Sequence, residues 1–232
     1  MSITKAPLYE QVARLGKALS SPKRLELIEL LCQGEKTVEV LADQAGIGVK
    51  LTSAHLKELR QARLVDTRKD GKHVHYRLAS PGVAALWVSL RSAAHERLVE
   101  LQVALATLVR EVPPLHDMDR KALWRAARAG EVVVIDVRPT EEYDAAHLPH
   151  ARSLPLAELR RRLNELSPQQ PVVAYCRGPF CLFARDAVAL LRQHGFQAEV
   201  LSDGVAEWRA QGLPIATTAN GRSARPPAPR MP

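Results

Sequence analysis

Cysteine is scarce in this sequence: there are three in 232 residues, and two of them, Cys176 and Cys181, lie five positions apart. So few cysteines cannot build the disulfide framework of a small secreted domain, and the pair indicates reactive thiols in a reducing compartment. The chain also lacks a run of about 18 apolar residues, the length that spans a bilayer. Residues 1–11 lack the charged-then-apolar plan of a signal peptide. We therefore expect a cytoplasmic protein without membrane contact.

Acidic residues are few in one stretch of the chain. The net charge is +8, and between Lys50 and Arg77 there are eight basic residues against three acidic ones. Concentrated positive charge suits a polyphosphate partner, because each neutralised phosphate releases condensed counterions. A solvated charged face is the alternative. The length and the 46% hydrophobic content allow two domains, each with its own core.

Residues 8–78 carry the pattern of a helix-turn-helix with a wing. Helical spacing, the caps Ser21 and Thr37 and the break at Gln33-Gly34 predict four helices. They should span residues 8–19, 22–32, 38–45 and 49–62, with a turn at 46–48 before the last one. Two apolar runs then flank Asp70-Gly71, a dipeptide typical of a tight hairpin turn. This hairpin is the predicted wing.

From Ser80-Pro81 to Pro113-Pro114 the apolar residues keep helical spacing, which predicts one continuous helix. At ~1.5 Å per residue it would be roughly 45 Å long, too long for a small domain to cover alone. Its apolar stripe should pack against a second copy of the chain. We therefore expect a homodimer formed through the terminal helices of the first domain.

After Pro113-Pro114, apolar runs alternate with amphipathic segments. Val132–Ile135 and Val172–Ala174 are continuously apolar, as strands buried on both faces must be. The predicted fold class is a mainly α winged helix-turn-helix domain with a β-hairpin wing at residues 1–112, followed by an α/β domain with a parallel sheet at 117–217. Residues 218–232, rich in proline and arginine, are a predicted flexible tail.

The first half resembles ArsR-type winged helix-turn-helix regulators over residues 7 to about 110. The segment from Ala45 to Val65 is similar to that family's recognition helix, and the segment from Arg68 to Leu78 is similar to its wing. The resemblance implies a double-stranded DNA operator as partner.

On the predicted recognition helix, spacing turns Thr52, Leu56 and Leu59 toward the core. The DNA-binding candidates on the opposite side are Lys50, Ser53, Ala54 and Lys57. Base reading should rest mainly on Lys50 and Ser53. Because Ala54 stands where the family usually has arginine, we expect sparse base contacts and a larger role for DNA shape and for the wing.

The wing supplies three further DNA-binding candidates. Arg68, Lys69 and Lys72 are the predicted phosphate or minor-groove contacts, with solvated hairpin charges as the alternative.

Many ArsR regulators sense metals, which requires a set of ligands. Residues 34–38 lack the cysteine pair of a soft-metal site, and only Cys32 lies nearby. His95, Glu96 and Glu100 could present ligands across a dimer, but a zinc site needs several such residues at fixed helical offsets. We predict no metal and no cofactor, and interpret His95 as a surface histidine.

The second half, from about Asp117 to Leu213, resembles a single-domain rhodanese, a sulfurtransferase fold. Four ordered segments carry the resemblance: Val133–Arg138 with Glu141–Tyr143, His147–Ala151, Val173–Gly178, and Leu201–Val205 with Trp208. The resemblance implies that Cys176 carries sulfur as a persulfide and that Asp136 and Arg138 brace the loop network rather than perform chemistry.

Cys176 stands where a buried strand ends and a loop leads into a helix. Backbone N–H groups and the helix N-terminus should therefore converge on its sulfur. Together with the nearby cation of Arg177, this field favours an ionised, reachable thiolate.

The loop departs from the rhodanese pattern at two positions. Cys181 stands where thiosulfate-using relatives commonly have a basic residue, so thiosulfate should be a poor donor. Leu182 stands where phosphatases on this fold need arginine, which excludes phosphoester hydrolysis. Cys181 could instead attack a sulfur-loaded Cys176 as a resolving thiol, forming a disulfide or a sulfur bridge. The alternative for Cys181 is a buried small hydrophobe.

These features predict a DNA-binding repressor that responds to a low-molecular-weight sulfur donor, or to redox state, through Cys176. Two alternatives stay open. One is a working sulfurtransferase whose helical half supplies dimerisation or DNA binding. The other is a repressor that responds to arsenic or another soft ion through Cys176 and Cys181, with or without Cys32.

Overall fold

The structure is a computed structural model that describes residues 5–108 and 119–218. The chain divides into two compact units between Leu105 and Ala106. Among the described residues, no helix is both long enough and apolar enough to cross a membrane. The predicted break at Pro113-Pro114 and residues 219–232 of the predicted tail lie outside the described residues.

The first unit is a winged helix-turn-helix. Thr37 caps the third helix as predicted, since its hydroxyl oxygen accepts a hydrogen bond from the backbone N–H of Val40. Gly46, with φ +61°, makes the turn between the third and fourth helices. The elements in the described residues are α1 (Ala6–Leu19), α2 (Pro22–Leu31), β1 (Lys36–Thr37), α3 (Val38–Gln44), α4 (Val49–Gln61), β2 (Val65–Asp70), β3 (His73–Leu78), α5 (Pro81–Arg97) and α6 (Val99–Leu108).

The wing is part of a three-stranded antiparallel sheet with the order β1-β3-β2. The β2–β3 hairpin turns at Gly71, whose φ of +57° fits the predicted tight turn. Sequence reasoning missed β1, which pairs Lys36 with Tyr76 and Thr37 with His75. Two residues are too short for a periodic signal. This pairing attaches the wing to the start of α3.

The prediction of one continuous helix after Pro81 is wrong. The helix ends at Arg97, Leu98 is extended (φ −104°, ψ 104°), and a separate helix begins at Val99. The side-chain amide of Gln102 donates a hydrogen bond to the carbonyl oxygen of His95, which stabilises the break. The apolar spacing continues across Leu98 without proline or glycine, so periodicity alone could not reveal the interruption.

The second unit is an α/β fold around a four-stranded sheet. Its elements are α7 (Arg120–Ala129), β4 (Val133–Asp136), α8 (Thr140–Ala145), β5 (Arg152–Ser153), α9 (Leu156–Leu159), a 3₁₀ helix (Arg160–Glu165), β6 (Val172–Tyr175), α10 (Phe183–Gln193), β7 (Ala198–Val200) and α11 (Val205–Ala210). Thr218, placed in the tail by the sequence, is held by Asp144, which accepts hydrogen bonds from its N–H and its hydroxyl.

The sheet has the order β5-β4-β6-β7, and all three pairings are parallel. Every residue of β4 and β6 is buried, because apolar clusters cover both faces of the sheet. The predicted parallel sheet is confirmed. Asp136 and Tyr175 are register partners at the ends of these central strands, so the loops after β4 and β6 leave the same edge of the sheet. This edge carries Cys176.

Candidate functional site

Helix α4 presents one buried side and one exposed side. Thr52, Leu56 and Leu59 are buried, and the Thr52 hydroxyl donates a hydrogen bond to the carbonyl oxygen of Gly48, 3.1 Å away. The four groove-facing candidates, Lys50, Ser53, Ala54 and Lys57, are all exposed. Sequence reasoning did not single out Val49 and Leu51, which expose apolar side chains at the start of α4. Apolar groups at such positions suit contact with a thymine methyl group.

The wing cations differ in their surroundings. Lys69 and Lys72 are exposed and make no ion pair within the described residues. Arg68 is held by two carboxylates: its Nε donates to Glu35 at 2.9 Å and its Nη1 donates to Asp70 at 3.1 Å. The hydrogen bonds to these carboxylates raise the pKa of Arg68. To contact a phosphate as predicted, Arg68 would first have to give up its hydrogen bonds to Glu35 and Asp70.

Glu35 was not recognised from the sequence. Besides Arg68, it accepts a hydrogen bond from Nη1 of Arg77 at 3.5 Å. These partners lie 33 and 42 positions away along the chain, so no local pattern points to the contact. Glu35 links the turn after α2 to both strands of the wing.

Within the described residues, no group of three or more His, Cys, Asp or Glu side chains could hold a metal ion. Cys32 is buried at the end of α2.

In the second unit, Cys176 and Cys181 form a disulfide across the loop between β6 and α10, with their Cα atoms 6.2 Å apart. Cys176 is 2% exposed, and Cys181, partly buried, packs against the same apolar cluster. The backbone N–H of Cys181 donates to the carbonyl oxygen of Gly178, which closes the loop into a tight turn.

The sulfur of Cys176 is not a free thiol in this structure. Cys176 is buried, and its Sγ is bonded to Sγ of Cys181. An ionised and reachable thiolate therefore belongs to the reduced loop. In this structure the sulfur of Cys176, which the sequence predicts to be a thiolate, is bonded to Cys181.

Arg177, the nearby cation of the sequence analysis, is paired with a carboxylate. Its Nη2 and Nε donate to the two carboxylate oxygens of Glu142, at 2.7 and 3.0 Å. The side chains of Arg177 and Glu142 are 13% and 1% exposed, and the guanidinium also lies 5.6 Å from the ring centre of Phe183. Two parallel hydrogen bonds in a nearly dry site bind the cation tightly to this carboxylate.

Asp136 and Arg138 form a fully buried ion pair below the loop. Arg138 Nη2 donates to Asp136 Oδ2 at 2.5 Å and to the carbonyl oxygen of Ala146 at 2.7 Å. The hydroxyl of Tyr175 donates to the same carboxylate and accepts from the N–H of Leu148. These contacts join β4, β6 and the segment after α8.

Burial and charge shift the pKa values in this network. Burial, the largest influence on Arg138, lowers its pKa, but the charge of Asp136 and hydrogen bonds to it raise the pKa overall. Burial raises the pKa of Tyr175 well above its ordinary value, and the charge of Asp136 raises it further. Tyr175 therefore stays protonated and able to donate.

Known proteins resemble both units. The family model described as "Bacterial regulatory protein, arsR family" matches residues 21–67, and the model described as "Rhodanese-like domain" matches residues 119–211. The HTH-type transcriptional regulator Rv0324 of Mycobacterium tuberculosis is 43% identical over 91% of this chain and 92% of its own length.

Two further relatives match the first unit. The probable mercury resistance operon repressor of Streptomyces lividans is 34% identical over 40% of this chain and 74% of its own length. The structure of the homodimeric winged helix-turn-helix domain Mb0332 of Mycobacterium bovis is 41% identical, covers 42% of this chain and 91% of its own, and has a TM-score of 0.40. The relative that spans nearly the whole chain, with the two family matches, shows that this protein is a transcriptional regulator of the ArsR family with a C-terminal rhodanese-like domain.

Proposed function

We propose that this protein is a homodimeric cytoplasmic repressor whose affinity for DNA falls when sulfane sulfur converts the thiols of Cys176 and Cys181 into a disulfide. The observation that carries the proposal is the bond between these two sulfur atoms at the end of β6. Because the two cysteines can meet within one loop, a donor that loads Cys176 finds a second thiol in reach.

The chemistry has two steps. The thiolate of reduced Cys176 attacks the outer sulfur of a persulfide R–S–SH, the S–S bond breaks, and R–S⁻ leaves. The thiolate of Cys181 then attacks Sγ of Cys176, which releases HS⁻ and forms the disulfide. Two thiolates are oxidised and one sulfane sulfur is reduced to sulfide. Cys176 thus accepts sulfur, and Cys181 resolves it.

DNA binding is assigned to α4 and the wing. Lys50, Ser53, Ala54 and Lys57 line the exposed side of α4, and Lys69 and Lys72 are free to meet phosphates. Arg68 joins them when DNA replaces Glu35 and Asp70. A repressor role fits the probable operon repressor among the relatives.

The apolar surface of the helices at both ends of the first unit supports a dimer. Large apolar side chains that remain exposed there include Leu8, Tyr9, Val12, Leu98, Val99, Val103 and Leu108. In a single protomer this apolar surface faces water, and a second copy of the chain would bury it. The homodimeric domain among the relatives has the same helix-turn-helix unit.

A mobility-shift assay tests the repressor proposal, using DNA selected from a random library by the reduced protein. Polysulfide should release reduced wild-type protein from this DNA. Cys176→Ser should stay bound with and without polysulfide, and Cys181→Ser should accumulate a persulfide without the disulfide. Equal DNA affinity of wild type and Cys176→Ser in both conditions would exclude sulfur-dependent regulation.

A sulfurtransferase is the second candidate, favoured by the rhodanese-like match over residues 119–211. Sustained turnover of thiosulfate and cyanide by wild type, lost in Cys176→Ser, would support it. A single turnover that stops at the disulfide would favour the regulator.

A further inference from the structure

The cation next to the reactive cysteine is withdrawn from incoming ligands. Arg177 is the one basic residue between Cys176 and Leu182 in the sequence. Its Nε and Nη2 both donate hydrogen bonds to Glu142, and the side chain of Glu142 is 1% exposed. An anionic donor that needed Arg177 would have to separate this nearly dry ion pair, and Glu142 would then lose both hydrogen bonds from Arg177.

A cavity of about 430 Å³, lined mostly by apolar residues, lies beside Phe183, the first residue of α10 after the cysteine loop. It shares Phe183 with the surroundings of Arg177. Its Leu156 packs against the apolar cluster that contains Cys176, as Cys181 also does. Val137, Pro139 and Pro155 complete its apolar wall. A cavity of this size and lining accommodates a small apolar molecule beside the loop.

The charges that line this cavity are negative. Glu141 and Glu158 contribute carboxylates. Arg162 pairs with Glu158 at 3.0 Å, whereas Glu141 is exposed and makes no ion pair within the described residues. An anion entering the cavity would therefore meet a like charge at Glu141.

We propose that the preferred donor for this site is an uncharged, apolar sulfane sulfur compound, such as a dialkyl trisulfide, and that Glu142 slows the reaction of anionic donors by neutralising Arg177. This inference rests on the sulfur-accepting role of Cys176 in the proposed function. The alkyl groups occupy the cavity beside Phe183, and a sulfur atom of the donor faces the reduced loop.

With a trisulfide R–S–S–S–R the reaction balances as follows. The Cys176 thiolate attacks the central sulfur, forms Cys176 Sγ–S–S–R, and expels R–S⁻. The Cys181 thiolate then attacks Cys176 Sγ and expels R–S–S⁻. Two thiolates become one disulfide, and the trisulfide is reduced to one thiolate and one persulfide anion.

Two trisulfides of the same chain length provide the test: dipropyl trisulfide, which is neutral, and bis(2-carboxyethyl) trisulfide, which carries two negative charges. Reduced full-length protein is mixed with each probe, and the remaining thiols are trapped with N-ethylmaleimide. The mass of the trapped protein, measured by mass spectrometry over time, gives the rate at which the two loop thiols are lost. Each rate is divided by the rate of the same probe with the uncharged thiol N-acetylcysteine methyl ester, which removes differences in intrinsic reactivity.

In wild type the ratio of the corrected rates, neutral probe over anionic probe, should be about ten or more. This is the size expected when the anionic probe meets a like charge and finds no counter-charge at close range. In Glu142→Gln, which frees the charge of Arg177, the ratio should fall by about five-fold or more. Glu131→Gln makes the same charge change before β4, at the opposite edge of the sheet from the loop, and should keep the wild-type ratio. Because each ratio is measured within one protein, it does not depend on the fraction of reactive loop that a variant retains.

A wild-type ratio near one, with both probes forming the disulfide, would overturn the donor assignment and leave the proposed function standing. Faster reaction of the anionic probe would also overturn it and point to Arg185, in the first turn of α10, as an anion contact. An unchanged ratio in Glu142→Gln would overturn the role of Glu142. If neither probe forms the disulfide in the reduced protein but polysulfide does, only the donor assignment fails; if polysulfide also forms no disulfide, the proposed function fails with it.

Discussion

Gly204 lies directly against the backbone carbonyl group of Arg177. A Cβ atom at Gly204 would come within 2.6 Å of the carbonyl carbon of Arg177 and within 2.7 Å of the carbonyl oxygen of Cys176. Backbone atoms cannot swing aside as the end of a long side chain can, so this close approach requires glycine. The loop before α11 thus helps to fix the cysteine loop without contributing a reactive group.

We predict that Gly204→Ala displaces the loop and slows formation of the Cys176–Cys181 disulfide about ten-fold or more, since small shifts of reacting atoms have effects of this order. The rate is measured by thiol trapping with dipropyl trisulfide. Gly16→Ala is the control, because a Cβ atom there meets nothing within 4 Å. A wild-type rate in Gly204→Ala would show that the loop does not depend on this contact.

Arg138→Met should destabilise the second unit by about 3–5 kcal/mol, because it leaves the fully buried carboxylate of Asp136 without its cation. Urea unfolding measures the change. Arg161→Met removes an exposed arginine from the 3₁₀ helix and should change the free energy of unfolding by less than about 0.5 kcal/mol. A loss below ~1 kcal/mol in Arg138→Met would contradict the bracing role of the pair.

Alkaline pH should weaken the second unit through Tyr175. Burial raises the pKa of Tyr175 well above its ordinary value of 10.0. Below pH 10 the folded and unfolded states both keep the phenol proton, so the contribution of Tyr175 to stability is fully present. As pH rises above 10 the unfolded state loses this proton first, and the stability falls.

Tyr175→Phe should remove this part of the alkaline dependence and lower the stability at neutral pH by about 1–3 kcal/mol, since Asp136 and the N–H of Leu148 lose a hydrogen-bond partner. Urea midpoints of wild type and variant between pH 7 and 11 provide the measurement. Parallel pH profiles in the two proteins would rule out Tyr175 as the source.

Glu35→Gln should strengthen DNA binding several-fold at low salt, because it removes the carboxylate that Arg77 contacts and one of the two carboxylates that hold Arg68. The slope of log K against log salt should steepen by about 1–2. Glu39→Gln makes the same charge change on α3, where the carboxylate pairs with neither arginine, and serves as control. If both variants bind alike, the effect is one of net charge and not of the Glu35 contacts.

Periodicity and caps predicted the elements that obey a local rule. The helix-turn-helix, the hairpin at Gly71 and the buried parallel strands β4 and β6 are such elements, since each depends on spacing or turn chemistry within a few residues. The break at Leu98 was missed because no helix-breaking residue marks it, and β1 was missed because it is two residues long.

The cysteine loop was located from its own sequence, but its partners were not. Glu142 and Gly204 reach the loop from distant parts of the chain, and Tyr175, which precedes the loop, bonds to Asp136, 39 positions away. Arg177 illustrates the consequence: a cation beside a cysteine in the sequence is, in the fold, the ion-pair partner of a carboxylate 35 positions away. Whether a charge acts on a site depends on these tertiary contacts, which no local pattern contains.

The central claim is that the state of the Cys176–Cys181 pair sets the affinity for DNA. Fluorescence anisotropy measures it directly, with one preparation of full-length protein divided into a reduced half and a half converted to the disulfide, each titrated into the same selected DNA at the same salt concentration. The account predicts that the disulfide form binds at least about five-fold more weakly, within the usual range of allosteric coupling, and that reduction restores the affinity. Equal affinities of the two forms, with the disulfide verified by mass, would contradict it.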